Sequence, residues 1–228
     1  MGKVKFSAFI VDIRNKVGGS VFSRNSAGAY VRNKVTPINP QSVAQQAVRN
    51  QFAFLSQNWR ALTPGQRQSF NDAVGSFLRT DIFGDAVSPT GLQLYQRLNR
   101  NLQAAGQAVV TTPPTPGTVF TFDTFTVIAA TGLGTMEATF TLAIPAGTSI
   151  VVRATPPQSA GKNFFKSEYR QITVLDNADI SPFDLATAYT AAFGVLPPVG
   201  MKVSIAVHSV VNASGLNSAE LSAQDIAV

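Results

Sequence analysis

Residues 36–62 read TPINPQSVAQQAVRNQFAFLSQNWRAL, and the rest of the chain is arranged around them. Pro37 and then Asn39-Pro40 stop one element and start another. Asn39 can accept from the free amides of a first helical turn, and Pro40 suits the first helical position because its missing N–H would be unpaired there. A helix over 40–61 is therefore expected. Val48, Phe52, Leu55, Trp59 and Leu62 follow at spacings of 4, 3, 4 and 3, which puts them on one face. The only tryptophan lies on that stripe.

Two further helices follow. Thr63-Pro64-Gly65-Gln66 is a capping box with proline at the first helical position, and Phe70, Val74 and Phe77 or Leu78 form the apolar side behind it. Thr90 and Gln93 make a second capping box, followed by Leu92, Tyr95, Leu98 and Leu102, with Gly106 as the stop. The very short first connection favours an antiparallel pair, and the loop before the third helix is long enough to fold back, so the three stripes are expected to meet in one core anchored by Phe52, Trp59, Phe70 and Tyr95.

Upstream, residues 1–35 read as an extended arm and β-hairpin. Val4, Phe6, Ala8 and Ile10 alternate with Lys5, Ser7 and Phe9, Gly18-Gly19 breaks the chain, and two runs, 20–24 and 30–35, flank Asn25-Ser26-Ala27-Gly28. A two-stranded ribbon is marginal alone in water and must lie on the helices or on another chain. Its cations and aromatics, Arg14, Lys16, Arg24, Arg32, Lys34 and Tyr30, are the candidate partner-binding residues.

Downstream, TTPPTPG at 111–117 forbids a helix and marks a boundary after a three-helix domain over 36–110. From 118 to 228 the pattern is β: a phenylalanine-rich run at 120–127, then 136–144, 149–155, 169–176, 201–210 and 219–228, separated by Pro, Gly and Asn turns. Such spacing predicts an antiparallel sandwich. Residues 181–194 are expected to hold one short helix begun at Ser181-Pro182. The expected fold class is thus α+β in two domains.

Charge divides the same way. Residues 1–105 carry 13 Lys/Arg against four acids, and residues 106–228 five against eight. A basic half joined to a mildly acidic half presents two surfaces to different partners, or simply a solvated basic domain.

Composition excludes most chemistry. There is no cysteine and one histidine, His208, set in a strand pattern and read as structural. The acids are scattered; Asp176, Asp179 and Asp184 lie close in sequence but lack EF-hand spacing. GLGTM at 132–136 has no phosphate-loop pattern, and the serines have no base. No run of about 18 apolar residues suggests a membrane span. The basic-then-apolar start has no small-residue cleavage site, and Phe6 spoils a myristoylation motif. The expectation is a non-enzyme with no cofactor, no metal site and no small-molecule substrate.

Residues 37–102 resemble a domain of tailed-bacteriophage virion proteins and prophage-like genes. The resemblance rests on Asn39-Pro40-Gln41-Ser42 with Gln45, Arg49, Phe52, Trp59, Leu62-Thr63, Arg67, Phe70-Asn71, and Thr90-Gly91 through Tyr95 to Asn99. The preceding GGSVFSRNSAGAYVRNKVTP fits the basic hairpin that accompanies it; Phe70 departs from an expected tryptophan. The β half is similar, at the level of fold, to immunoglobulin-like or fibronectin-type modules on phage heads and tails. The resemblance implies a virion structural protein, capsid-associated or a tail or neck accessory, present in many copies and touching capsid, portal or tail proteins. The alternatives are a nucleic-acid-binding protein using the basic half and a host-surface adhesin using the sandwich.

Overall fold

The computed structural model describes residues 2–7, 10, 12–25, 28–130, 132 and 134–228. Within them the chain is mixed α+β, with four α-helices and several antiparallel sheets.

β1 (Gly2–Lys3), β2 (Asn15–Val17), β3 (Ser20–Asn25) and β4 (Gly28–Asn33) form one sheet in the order β1-β4-β3-β2. The expected two-stranded ribbon is therefore four-stranded. Gly18, at φ +59, turns β2 back onto β3 instead of breaking the chain. Residues 4–7 and 10 of the alternating run form no strand. Ala8 and Phe9, like Ser26 and Ala27 of the second turn, lie outside the described residues.

Helix α1 (Val43–Ala61) starts later than its sequence suggests. Gln41 adopts φ +50, and Ser42 is the cap, its Oγ accepting from the Gln45 amide at 3.4 Å. Asn39 instead accepts from Arg49 Nη2 at 2.8 Å. Both expected capping boxes are present, at Thr63–Gln66 before α2 (Pro64–Ala73) and at Thr90–Gln93 before α3. A 3₁₀ turn (Val74–Phe77) and a small hairpin of β5 (Arg79–Thr80) and β6 (Ala86–Val87) separate α2 from α3 (Gly91–Ala104).

The helical core holds Leu55, Leu62, Phe70, Phe77, Leu94, Tyr95 and Leu98. Phe70 and Tyr95 are fully buried, their rings 5.3 Å apart and edge-on, with the half-buried Trp59 ring 5.9 and 5.4 Å from them. Such pairs add about 0.5–1.5 kcal/mol each beyond burial. Three assignments change. Phe52 is 40% exposed and Val48 41%, because α2 and α3 reach only the C-terminal half of α1. Leu78 is 54% exposed, leaving Phe77 as the buried one of that pair. On α3 the inward residue is Leu94, with Leu92 half-buried.

Several residues of the quoted motifs have structural tasks. A Cβ at Gly91 would stand 3.0 Å from the Asn71 amide nitrogen, so the close approach of α2 and α3 requires glycine there. Asn99 is buried; its Oδ1 accepts from the Val110 amide at 2.6 Å, and its Nδ2 donates to Tyr95 O and Val110 O, both at 3.1 Å. That clamp ties the chain leaving α3 back onto the helix.

In the second half, β10 (Arg170–Leu175), β9 (Thr148–Ala154), β12 (Lys202–Val211) and β13 (Leu221–Ile226) make one sheet in that order. β11 (Phe183–Asp184), β8 (Glu137–Phe140) and β7 (Phe125–Ile128) make another. Both sheets contribute to one core, with Val127, Ala138 and Phe140 from the smaller and Ile150, Val152, Ile205 and Val207 from the larger. Helix α4 (Ala186–Phe193) adds Tyr189 to it. This helix begins later than expected, since Phe183–Asp184 is spent pairing with β8.

β9 is buried along nearly its whole length because α3 covers its second face. Leu102 and Ala105 pack on Val151 and Val210. Asn101 Nδ2 donates to Gly215 O at 2.9 Å and Gln171 Nε2 to Ala104 O at 2.7 Å. The proline-rich segment 111–117 carries no helix or strand, as its composition dictates.

Candidate functional site

The surfaces of the N-terminal half left without cover inside the chain are the candidate functional site. In the sheet of β1–β4 no described residue is buried. Register decides which candidate residues act together, since cross-strand partners share a face. Lys16 pairs with Val21 and Val21 with Arg32, so Lys16 and Arg32 line up across one face; Tyr30, two residues before Arg32, is on it too. Arg24 points to the opposite face with Phe22 and Val31. Arg14 lies before β2 and pairs with Asp12 at 2.6 Å. Lys34 follows β4, its amide donating to Gly19 O at 2.8 Å. The six candidates thus form no single patch: Lys16, Arg32 and Tyr30 are brought together, Lys34 continues that register just beyond β4, and Arg14 and Arg24 stand apart.

The sheet is tied at its β1 edge to the loop of the β5–β6 hairpin. Lys3 Nζ lies 2.7 Å from Asp81 Oδ2, and Lys5 Nζ lies 2.8 Å from Asp85 Oδ2. The Lys5 ammonium also stands 5.1 Å from the centroid of the Phe83 ring. The hydrogen bond from Lys3 holds the Asp81 carboxyl below its usual range, and that to Asp85 raises Lys5. The Asp81 Oδ1 is occupied by the Phe83 and Asp85 amides, which fixes the loop that carries both acids.

The second uncovered surface is the first half of α1. Every residue from 43 to 54 is exposed, including Val43 at 84%, Phe54 at 47% and Phe52. At 1.5 Å per residue this is about 18 Å of helix with no buried residue. Ile38 at 89% and Val35 at 73% continue the apolar exposure upstream. A helix so placed gains little from propensity alone, since packing supplies most helical stability.

Between this helix, α3 and the β5–β6 hairpin runs a groove of about 720 Å³, with Phe52, Arg79, Ile82, Arg97 and Arg100 among its walls. Arg100 lies 5.5 Å over the Phe52 ring and Arg97 5.7 Å over Phe77. None of these arginines has a carboxylate partner among the described residues. Burial and the neighbouring charge of Arg79 depress the Arg97 pKa, and its Nε is buried without an acceptor.

Other residues singled out in the sequence have local tasks. Asp176 Oδ1 accepts from the Ala178 amide, Asp179 Oδ2 from that of Asp176, and Asp184 Oδ1 from that of Ala186. Among the described residues, no three of His, Asp or Glu gather as a metal-holding group. No described helix is long and apolar enough to cross a membrane. His208 is half-buried opposite Val151, and burial lowers its pKa.

Sequence reading missed Lys3, Lys5, Asp81 and Asp85 as a clasp, and Arg79 and Arg97 as groove walls. The signal for the clasp was the turn-like Asp81-Ile82-Phe83-Gly84-Asp85, which reads as hairpin punctuation between Arg79-Thr80 and Ala86-Val87. Compared with protein-family models, curated proteins and solved structures, the chain matches none.

Proposed function

We propose that the protein is a structural component of a tailed-bacteriophage particle, anchored by its basic N-terminal half and presenting its β half outward or to neighbours. The observation that carries this reading is the pairing of an uncovered four-stranded sheet with an uncovered half-helix in one molecule. Among the described residues the buried cores form elsewhere, in the second half of α1 with α2 and α3 and in the β half. Surfaces of this kind are those that an obligate assembly buries.

In this reading residues 36–110 are the anchor domain, and 118–228 form an immunoglobulin- or fibronectin-like sandwich with a four-stranded and a three-stranded sheet. The edges of the N-terminal sheet, β2 and β1, offer amides and carbonyls to a partner strand, with Lys16 and Arg32 steering docking onto acidic groups. The role needs no catalytic residue. Mass spectrometry of purified particles tests it: peptides of this chain in stoichiometric amount are expected, and their absence from particles contradicts the reading.

A second reading, nucleic-acid binding, draws on one observation: Lys16, Arg32 and Tyr30 share a face, an arrangement suited to a phosphate backbone with a base on the ring. Electrophoretic retardation of DNA at moderate salt, lost on Arg32→Gln, tests that alternative.

A further inference from the structure

The groove described above collects arginines that have nothing to neutralise them, in a chain whose other half carries spare acids. Of the eight acids in 106–228, Glu168 and Glu220 are paired with Lys162 and Arg153. The richest group of unpaired ones is Asp176, Asp179 and Asp184, in the segment from the end of β10 to β11. Between them stands Ile180, 76% exposed. Each of these carboxylates uses one oxygen on its own loop amides and leaves the other free to accept. Those bonds hold the loop in shape, which lowers the ordering cost of docking.

We propose that the groove lined by Arg79, Arg97, Arg100, Phe52 and Ile82 receives the 176–184 loop of a second copy of this chain, so that copies join head to tail. The match is chemical at each point. Planar guanidinium groups favour carboxylates with two acceptor positions, and Arg79, Arg97 and Arg100 line the groove with no carboxylate partner among the described residues. Phe52 and Ile82 offer an apolar wall for Ile180. A denser polyanion suits the groove less well, since Asp81 also lines it and the walls between the arginines are apolar. Because groove and loop are different patches, the contact is heterologous, and repetition builds a ring or an open array rather than a closed two-fold pair. This inference rests on the multi-copy structural role proposed above and supplies its copy-to-copy contact.

Sedimentation velocity of the full chain at low salt tests it. The wild type is expected to shift to larger species as concentration rises, and to shift back at high salt. Arg79→Gln/Arg100→Gln and Asp176→Asn/Asp179→Asn should each weaken self-association at least about tenfold, with circular dichroism unchanged from wild type. Mixed together, the two variants should form a 1:1 dimer that grows no further, because each retains one intact half of the contact. A wild type that stays monomeric, self-association undiminished in either variant, or a mixture that does not pair overturns the proposal. Binding of a short single-stranded oligonucleotide that is lost in Arg79→Gln/Arg100→Gln, in a monomeric chain, also overturns it and assigns the groove to phosphate. A monomeric chain that still co-sediments with particles removes this contact and leaves the virion role standing.

Discussion

Gly215, in the turn after β12, sits against the carbonyl of Leu98 on α3 so closely that no side chain fits between them. A Cβ there would stand 2.8 Å from the Leu98 carbonyl carbon and 3.1 Å from Leu102 Cγ, and the residue holds φ +73. The contact locks the helices to the outer face of the larger sheet. Gly215→Ala is expected to destabilise the chain by about 1–3 kcal/mol through clash and backbone strain. Gly65→Ala, made in open space, should be nearly neutral. Thermal denaturation of the two variants checks this; equal melting temperatures would place the helices elsewhere.

The aromatic cluster predicts a graded series. Phe70 is fully buried, Trp59 half-buried and Phe52 exposed. Phe70→Ala should cost about 3–5 kcal/mol, Trp59→Ala less, and Phe52→Ala under about 1 kcal/mol in the isolated chain, where it loses only the Arg100 contact. Denaturant titration of the three variants measures the order. A large loss at Phe52 would mean that the first half of α1 is packed after all.

The Lys3–Asp81 and Lys5–Asp85 clasp predicts how the N-terminal sheet responds to pH. Asp81 has a folded pKa below its ordinary value of 3.8, so its contribution is present above that value and is lost as pH falls through the lower, folded one. Lys5 has a folded pKa above its ordinary 10.5, so its contribution is full below that value and is lost as pH rises through the folded one. Between those limits the clasp holds. Protection of the Val4 amide, which donates to Ala29 O, measured against its intrinsic exchange rate at each pH, should therefore fall in strong acid and in Asp81→Asn at neutral pH. Unchanged protection in the variant would show that the strands hold without the clasp.

Residues 118–228 should form a folded β protein when expressed alone, since Ile150, Val152, Ile205 and Val207 keep all their neighbours. Its melting temperature should fall below that of the full chain, because Val151 and Val210 lose Leu102 and Ala105. Circular dichroism showing a disordered fragment would contradict the division at 111–117.

What was legible in the sequence is what local chemistry dictates. Thr63 with Gln66 and Thr90 with Gln93 cap helices because a short-range hydrogen-bond pair suffices. The strands of the β half were legible because turns punctuate them. SIVVRA, apolar on consecutive residues, also carried a sign of two-sided burial, since α3 covers what would have been its outer face. The stripe through Val48 and Phe52 misled because periodicity says which residues share a face, not whether anything covers it. Ser42 and not Asn39 is the cap because Gln41, at φ +50, breaks the helical path between them, and Asn39 accepts from Arg49 instead. The clasp joins Lys3 to Asp81, 78 positions on, and the groove brings Phe52 of α1 against Arg100 of α3, and nothing local signals such meetings.

Attachment of the chain to a particle through the uncovered N-terminal sheet is measured by co-sedimentation with particles of a variant lacking residues 1–35. A soluble variant, its β half folded by circular dichroism, is expected to remain in the supernatant while the full chain pellets. Incorporation of the variant at the level of the full chain would contradict it.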